Sequence, residues 1–182
     1  MLRLPGLLVV VVLAALFGLL GWRLTQAQYR GGARAVFDRL GEQRVELRVV
    51  TDFELPLVRE EGTFSSAALT GKVAMIDFYA SWCAPCRQEA PVLSQVWREY
   101  EGRVAFVGVG LWDDPNELRK FDETFGVAYT TVRDDQGLVA VEFGVAGIPE
   151  KFFLDREGRI RRKFVGPMTA ENLRIILDGL LQ

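Results

Sequence analysis

The sequence has 182 residues, which is enough for one domain with a sizeable core and a short appendage. Its net charge of −2 argues against binding to nucleic acids, which usually requires a basic face. There is no histidine, so Ser-His and Cys-His catalytic pairs, histidine-ligated metals and C-x-x-C-H haem attachment are excluded. Two cysteines complete a tetrahedral zinc site only if carboxylates or a second chain contribute ligands.

The N-terminus carries an apolar run, Leu4 to Trp22, between Arg3 and Arg23. At about 1.5 Å rise per residue this run just spans a bilayer, so we predict that residues 1–22 are a single-pass transmembrane anchor. A cleavable signal peptide is the alternative, although signal cores are usually shorter, about 7 to 15 residues. Residues 23–48 are rich in arginine and are interpreted as a solvated linker, with contact to anionic headgroups as the alternative.

The remaining residues, 49–182, have the pattern of one α/β domain. Phe53, Leu55 and Phe64 alternate with polar residues, which predicts a β-hairpin at the start of the domain. Strands that alternate with helices and end in a hairpin and a helix give a mixed sheet with helices on both faces. The other predicted elements are strand 74–80, a helix from 83, strand 103–110, a helix from 114, strand 129–132, helix 139–143, strands 152–154 and 160–165, and a last helix capped by Thr169.

Strand 74–80 leads into two cysteines three positions apart, Cys83 and Cys86. Leu93 and Val96 continue at helical spacing, so we expect Cys83 to lie at the exposed start of a helix. A thiol at a helix N-terminus meets unsatisfied N–H groups and the positive end of the helix dipole, and both stabilise its thiolate. We therefore predict that Cys83 attacks disulfides and that Cys86, one turn further in, resolves the mixed disulfide.

The segment Trp82-Cys83-Ala84-Pro85-Cys86 after a strand resembles the thioredoxin superfamily. The similarity covers roughly residues 50–182 and implies a thioredoxin-like fold with an N-terminal β-hairpin and an αβ insert at 113–133. Three further segments resemble the membrane-anchored TlpA-like and ResA-like branch, which includes thioredoxins of cytochrome c maturation: Asp52-Phe53-Glu54-Leu55-Pro56, Gly71-Lys72-Val73 and Gly147-Ile148-Pro149-Glu150.

The resemblance also implies roles for residues around the dithiol. Asp77 matches the buried aspartate that assists proton transfer in thioredoxins, and Glu89 matches a glutamate near the active site of ResA-like proteins. Trp82 matches an exposed tryptophan that shields the disulfide and touches partners. Pro149 matches a cis-proline that leaves the backbone of Ile148 free to pair with a substrate peptide. The alternatives are a strand-edge acid that reaches water or a lysine for Asp77, and a surface glutamate for Glu89.

The implied function is an extracytoplasmic thiol-disulfide oxidoreductase that needs no cofactor besides the Cys83–Cys86 disulfide. Its expected partners are protein disulfides, above all those of apocytochrome c, and a membrane thiol-disulfide carrier that donates electrons. The expected location is the inner membrane, with the domain on the periplasmic side.

This function has four alternatives. The first is a general protein-disulfide reductase or oxidase of the cell envelope. The second is a membrane-tethered interaction domain that kept the fold without redox activity, against which the intact cysteines, Asp77 and Pro149 argue. Copper delivery on a related fold uses C-x-x-x-C with a distant histidine, and this chain has neither. Peroxiredoxins use P-x-x-x-T-x-x-C, and this chain has Ile76 and Ala80 where that motif has proline and threonine.

Overall fold

The computed structural model describes residues 52–182 and, before them, residues 14–16, 18–19, 42–43 and 49–50. Two compact units are formed by Met1–Asp38 and Arg39–Gln182. Within the described part of the chain, no helix is both long and apolar enough to cross a membrane. The predicted anchor and linker, residues 1–48, lie almost entirely outside the described residues, so both stay predictions.

The second unit contains a mixed sheet with β4 at its centre. Its described strands are β1 (Glu42–Gln43), β2 (Glu54–Pro56), β3 (Thr63–Ser65), β4 (Val73–Tyr79), β5 (Val104–Leu111), β6 (Thr130–Asp134), β7 (Glu150–Leu154) and β8 (Ile160–Val165). The main sheet has the order β1-β8-β7-β4-β5-β6, and β2 and β3 form the predicted hairpin. β4 is parallel to β5 and antiparallel to β7, which confirms the mixed sheet.

The described domain has four α-helices: α1 (Ala84–Tyr100), α2 (Pro115–Phe125), α3 (Leu138–Phe143) and, after the last strand, α4 (Ala170–Leu181). The side chain of Asp114 caps α2, because its Oδ1 accepts a hydrogen bond from the N–H of Asn116 at 2.7 Å. Thr169 caps α4 in the same way, through the N–H of Asn172 at 3.2 Å. Both predicted helix starts are therefore confirmed.

Helices cover both faces of the sheet. Successive side chains of a strand point to opposite faces, so β4 sends Met75 and Tyr79 one way and Ile76 and Phe78 the other. The first pair lies in a core cluster with residues of α1, α2 and α4, and the second lies in a cluster with the hairpin and α3. This arrangement confirms the predicted architecture and buries β4 completely.

The predicted limits of most elements are correct to within one or two residues. The largest difference at the start of an element is in β7, which begins at Glu150 rather than at residue 152. Its first two residues, Glu150 and Lys151, are charged, and both are buried. An apolar run cannot reveal such positions, since their burial depends on charged partners from elsewhere in the fold.

Candidate active site

The dithiol lies where β4 ends and α1 begins. Cys83 is the N-cap of α1 and is joined to Cys86 by a disulfide, with the two Cα atoms 5.3 Å apart. The Sγ of Cys83 accepts a hydrogen bond from the N–H of Cys86 at 3.2 Å. This is the predicted helix-start geometry, in which a backbone donor is aimed at the sulfur that would carry the thiolate charge.

The exposure of the two cysteine residues differs less than expected. We predicted an exposed Cys83, but its residue is only 5% exposed, against 2% for Cys86. The Ile148 carbonyl oxygen is 3.9 Å from the Sγ of Cys83, so the loop before β7 covers part of the disulfide. The Ile148–Pro149 peptide bond is cis, which confirms that prediction. The predicted roles of Ile148 and Pro149 in binding substrate stay predictions.

The loop between β4 and α1 is fixed through Ser81. The carboxylate of Asp113 accepts hydrogen bonds from the Ser81 N–H at 2.5 Å and from its hydroxyl at 3.0 Å. The guanidinium of Arg87 donates to the Ser81 carbonyl at 3.2 Å and stacks 5.3 Å from the ring centroid of Phe125. Three polar groups of one residue are thus held, and the neighbouring Trp82 projects outward with 60% of its surface exposed.

Behind the dithiol lies a cluster of three buried charges, Asp77, Glu89 and Lys151. Asp77 in β4 is paired directly with Lys151 in β7, and the two charged groups are 3.6 Å apart. The Lys151 ammonium donates hydrogen bonds to Oε1 of Glu89 and, at 3.1 Å, to the Gly166 carbonyl. The other oxygen of Glu89 accepts from the N–H of Met168 at 2.9 Å. The structure thus joins the two predicted acids through a lysine.

The environments of the two acids differ from those of their alternatives. Glu89 is 2% exposed, so it is not a surface glutamate. Asp77 does reach a lysine, but in the centre of the sheet rather than at a strand edge. The sequence does not single out Lys151, because a lysine next to an apolar run is typical of the end of a strand. Its only signal was its place two residues after Pro149.

Burial dominates the electrostatics of this cluster. Desolvation raises the pKa of Asp77 above its ordinary value, although the Lys151 ammonium opposes the shift. Desolvation and the charge of Asp77 raise the pKa of Glu89 to about 7, against the opposing effects of Lys151 and the Met168 N–H. Two carboxylates and one ammonium leave one uncompensated negative charge when all are ionised. The cluster therefore takes up or releases a proton near neutral pH.

Glu150 and Lys163 form a second buried ion pair, on the opposite face of the sheet. Their charged groups are 3.0 Å apart, and the Lys163 ammonium also donates to the Gly144 carbonyl at 2.8 Å. Both oxygens of Glu150 are 3.3 Å from the N–H of Ala146. This pair fastens the loop that leads to the cis-proline, and its two charges cancel.

Two exposed tryptophans follow the carboxyl ends of the neighbouring strands β4 and β5. Trp112 directly follows β5, is 60% exposed and has a φ of 47°, a conformation that is unusual for a bulky residue. Its indole ring packs on Gly137, where an added Cβ would lie 2.7 Å from the ring. Trp82 directly follows Ser81 and Trp112 directly precedes Asp113, so the hydrogen bonds between Ser81 and Asp113 hold together the two segments that carry the tryptophans. With Leu138 and Val141, which are 63% and 74% exposed, they make up what we call the tryptophan surface: Trp82, Trp112, Leu138 and Val141.

Comparison with known proteins identifies the family. A family profile described as the AhpC/TSA family matches residues 48–163, more than half of the chain. The chain belongs to the AhpC/TSA family. It is 36% identical over 135 residues to the thiol:disulfide interchange protein HelX of Rhodobacter capsulatus, covering 70% of this chain and 75% of HelX.

Two further relatives have the same type of name. The thiol:disulfide interchange protein DsbE homolog of Paracoccus denitrificans is 31% identical over 171 residues, which cover 91% of this chain and 87% of the homolog. A crystal structure from Chlorobium tepidum, described as a thiol:disulfide interchange protein DsbE, superposes with a TM-score of 0.69 at 30% identity. That superposition covers 76% of this chain and 99% of the Chlorobium chain.

Within this family the chain is a thiol-disulfide oxidoreductase with a thioredoxin-like fold. Its two cysteines are joined in a disulfide at the start of α1, and its relatives are named for thiol-disulfide interchange. Ile76 and Ala80, in place of the peroxiredoxin proline and threonine, are both fully buried in the core. Among the described residues, no three carboxylate or cysteine side chains converge in a way that could hold a metal ion.

Proposed function

We propose that this oxidoreductase is a membrane-anchored reductant of protein disulfides outside the cytoplasm, that apocytochrome c is its main substrate and that a membrane thiol-disulfide carrier donates its electrons. The observation that carries the proposal is the Cys83–Cys86 disulfide at the start of α1, backed by the buried pair Asp77 and Glu89. The apolar run in residues 1–22 supports the anchor. The resemblance to cytochrome-maturation thioredoxins supports the substrate.

The reductive cycle begins with the dithiol form. The Cys83 thiolate attacks one sulfur of the substrate disulfide, so a bond forms between Cys83 and the substrate and the second substrate sulfur leaves as a thiolate. Cys86 then loses its proton, and its thiolate attacks the Sγ of Cys83. The mixed disulfide breaks, the substrate leaves fully reduced, and two electrons have passed to it. The carrier afterwards returns two electrons to the Cys83–Cys86 disulfide.

Asp77 is the proposed acceptor of the Cys86 proton. Cys86 and Glu89 are three residues apart on α1, which packs on the face of β4 that carries Met75, Asp77 and Tyr79. A buried thiol has a raised pKa, so an internal base helps it to ionise. A carboxylate whose pKa lies closer to neutrality is a better acceptor there than a solvated one near 3.9.

The tryptophan surface is the proposed docking site for the substrate chain. Its Trp82 directly precedes Cys83 in the chain, and the Ile148 carbonyl oxygen approaches the Sγ of Cys83. An unfolded substrate such as an apocytochrome exposes apolar side chains next to its cysteines. An extended segment could therefore pair with the backbone at Ile148 and rest its apolar side chains on Trp82 and Trp112.

Trapping tests the substrate and the direction of electron flow. Membranes that contain the Cys86→Ser variant should accumulate mixed disulfides through Cys83, with apocytochrome c among the partners found by mass spectrometry. Cells without the protein should lose c-type cytochromes and regain them when an external dithiol is added. Rescue by an added disulfide instead would indicate an oxidase, and a broad set of trapped proteins would indicate a general reductase.

The anchor and its orientation are tested with a C-terminal alkaline phosphatase fusion. The enzyme matures only outside the cytoplasm, so an active, membrane-bound fusion is expected. An inactive fusion would reverse the orientation, and an active soluble fusion would show that the N-terminal segment is a cleaved signal peptide.

A further inference from the structure

Lys151 is a fully buried cation in the middle of the domain, with no exposed surface. Burial of an ammonium is costly unless charged or hydrogen-bonding partners surround it. Lys151 has such partners on three different segments of the chain. The Lys151 ammonium contacts three acceptors: Glu89 on α1, Asp77 on β4 and the Gly166 carbonyl in the segment after β8. The lysine thus connects the two acids that face the dithiol side of the sheet.

The two carboxylates depend on this lysine to different degrees. Glu89 also accepts a hydrogen bond from the N–H of Met168, which favours its ionised form. The Oδ1 of Asp77, in contrast, has no hydrogen-bond partner in the described part of the chain, and its ion pair with Lys151 is 3.6 Å long. If the lysine lost its charge, a shared proton would therefore settle on Asp77 rather than on Glu89.

The other titratable groups near the cluster do not replace Lys151. Tyr79 on β4 and Tyr129, just before β6, interact electrostatically with Asp77, and burial raises the pKa of both phenols well above the usual range. Both stay neutral at working pH. Cys86 faces the same side of the sheet and carries the proton to be moved. Positive charge in the cluster is thus supplied by Lys151.

We propose that Lys151 is a positioning residue that keeps Asp77 ionised at working pH, so that Asp77 can accept the Cys86 proton when the mixed disulfide is resolved. In that step the Cys86 S–H bond breaks, the proton moves to a carboxylate oxygen of Asp77, and the electron pair stays on sulfur to attack Cys83. The charge of the cluster goes from −1 to zero, a change that burial favours. This role rests on the reductive cycle proposed above.

A single-turnover experiment on the full-length protein measures this step. The Cys83 thiolate of the reduced protein attacks Ellman's reagent, which forms a mixed disulfide on Cys83 and releases one aromatic thiolate. Cys86 then closes the Cys83–Cys86 disulfide and releases the second aromatic thiolate, and this second release is followed by absorbance from pH 5 to 10. In parallel, the ¹³C carboxyl signal of Asp77 is titrated by NMR in the oxidised protein. The titration needs no substrate, so it stands even if the protein turns out not to reduce apocytochrome c.

The Lys151→Met variant should raise the Asp77 titration midpoint and the pH limb of thiolate release together, by about one unit or more. Lys163→Met is the matched control, since it removes a buried lysine from the opposite face, and it should leave the Asp77 midpoint unchanged. In the Asp77→Asn background, Lys151→Met should cause no further change in the pH profile, because the lysine acts through Asp77.

Three results would overturn the proposal. They are an unchanged Asp77 midpoint in Lys151→Met, a uniform fall in rate at all pH values, and an additive effect of the lysine change in the Asp77→Asn background. If Lys151→Met does not fold, Lys151→Gln offers the same test, because its amide keeps a donor without the charge. The same upward shift of the Asp77 midpoint and of the pH limb is expected for it.

Discussion

The domain buries two lysines on opposite faces of its sheet, and the two differ in charge balance. Lys163 pairs with one carboxylate, Glu150. Each member of the pair also has a backbone hydrogen-bond partner, the Gly144 carbonyl for Lys163 and the Ala146 N–H for Glu150. Lys151 meets two carboxylates, of which Asp77 is incompletely satisfied. The first pair is neutral and anchors a loop. The second keeps a negative charge that burial disfavours, so it is suited to take up a proton. The two lysines are thus alike in burial, and the number of carboxylates around each one distinguishes the structural pair from the proton-binding cluster.

The largest expected effect breaks the neutral pair. Lys163→Met leaves Glu150 buried without its counter-charge, and removal of one partner from a buried ion pair typically costs about 3–5 kcal/mol. We expect a loss of that size in urea denaturation at neutral pH. The double variant Glu150→Gln/Lys163→Met should recover much of it. If the single variant lost less than 1 kcal/mol, the pair would not be the anchor described here.

The second prediction concerns stability against pH. Burial and the charge of Asp77 raise the pKa of Glu89 to about 7 from its ordinary value of 4.5. A raised carboxyl pKa gives stability that is complete below pH 4.5 and is lost as pH rises through 7, and the loss amounts to about 3 kcal/mol. Asp77→Asn should reduce this loss, because the charge of Asp77 is one cause of the shift.

Asp122 provides the control for that measurement. It lies outside the cluster, and burial raises its pKa to about 6. Asp122→Asn should therefore flatten the stability curve between about pH 4 and 6 and leave the part near pH 7 unchanged. Denaturation midpoints of the wild type and both variants, measured from pH 4 to 9, would decide the matter. Identical curves for wild type and Asp77→Asn would contradict the coupling between Asp77 and Glu89.

The third prediction addresses the proton acceptor itself. Asp77→Asn should keep the fold and slow resolution by Cys86 roughly tenfold to a hundredfold near neutral pH, the usual size of a lost general base. Its Lys151–Glu89 pair stays matched in charge, so the variant should not be less stable than the wild type above pH 7. Thiolate release and insulin reduction give the rates. A rate equal to the wild type from pH 6 to 9 would show that the proton leaves by another route.

The smallest effect concerns substrate docking. Trp112→Ala should slow the reduction of insulin about fivefold, a typical cost for an aromatic contact residue, and leave the reaction with Ellman's reagent unchanged. Ile175→Ala is the control, since Ile175 is 52% exposed on α4, outside the tryptophan surface. Equal slowing of the protein and the small-molecule reactions would mean that Trp112 supports the site rather than the substrate.

The sequence predicted the fold well because apolar periodicity records which residues are buried. The central strand, the hairpin at the domain's start and the caps Asp114 and Thr169 all follow from local patterns. Asp77 and Glu89 were found through a resemblance and not through periodicity. That they share Lys151 could not be predicted, because β7 meets β4 only in the folded sheet.

Trp112 marks another limit of prediction. One aromatic residue after a strand is as consistent with the core as with the surface, and its exposure follows from two tertiary contacts. Asp113 turns toward Ser81, and Gly137 leaves room for the indole ring. Neither contact leaves a periodic trace in the sequence.

The opposite charges of Glu150 and Lys151, on successive positions of β7, also help to fix the register of this strand in the sheet. A slip by one residue would send every side chain of β7 to the other face. Glu150 would then join Asp77 and Glu89, and Lys151 would lie beside Lys163, so that like charges met in both interiors. An apolar strand of Phe and Leu would tolerate such a misalignment far better. Glu150, from the structural ion pair, and Lys151, from the proton-binding cluster, thus also favour a single register for β7, the strand that follows the cis-proline.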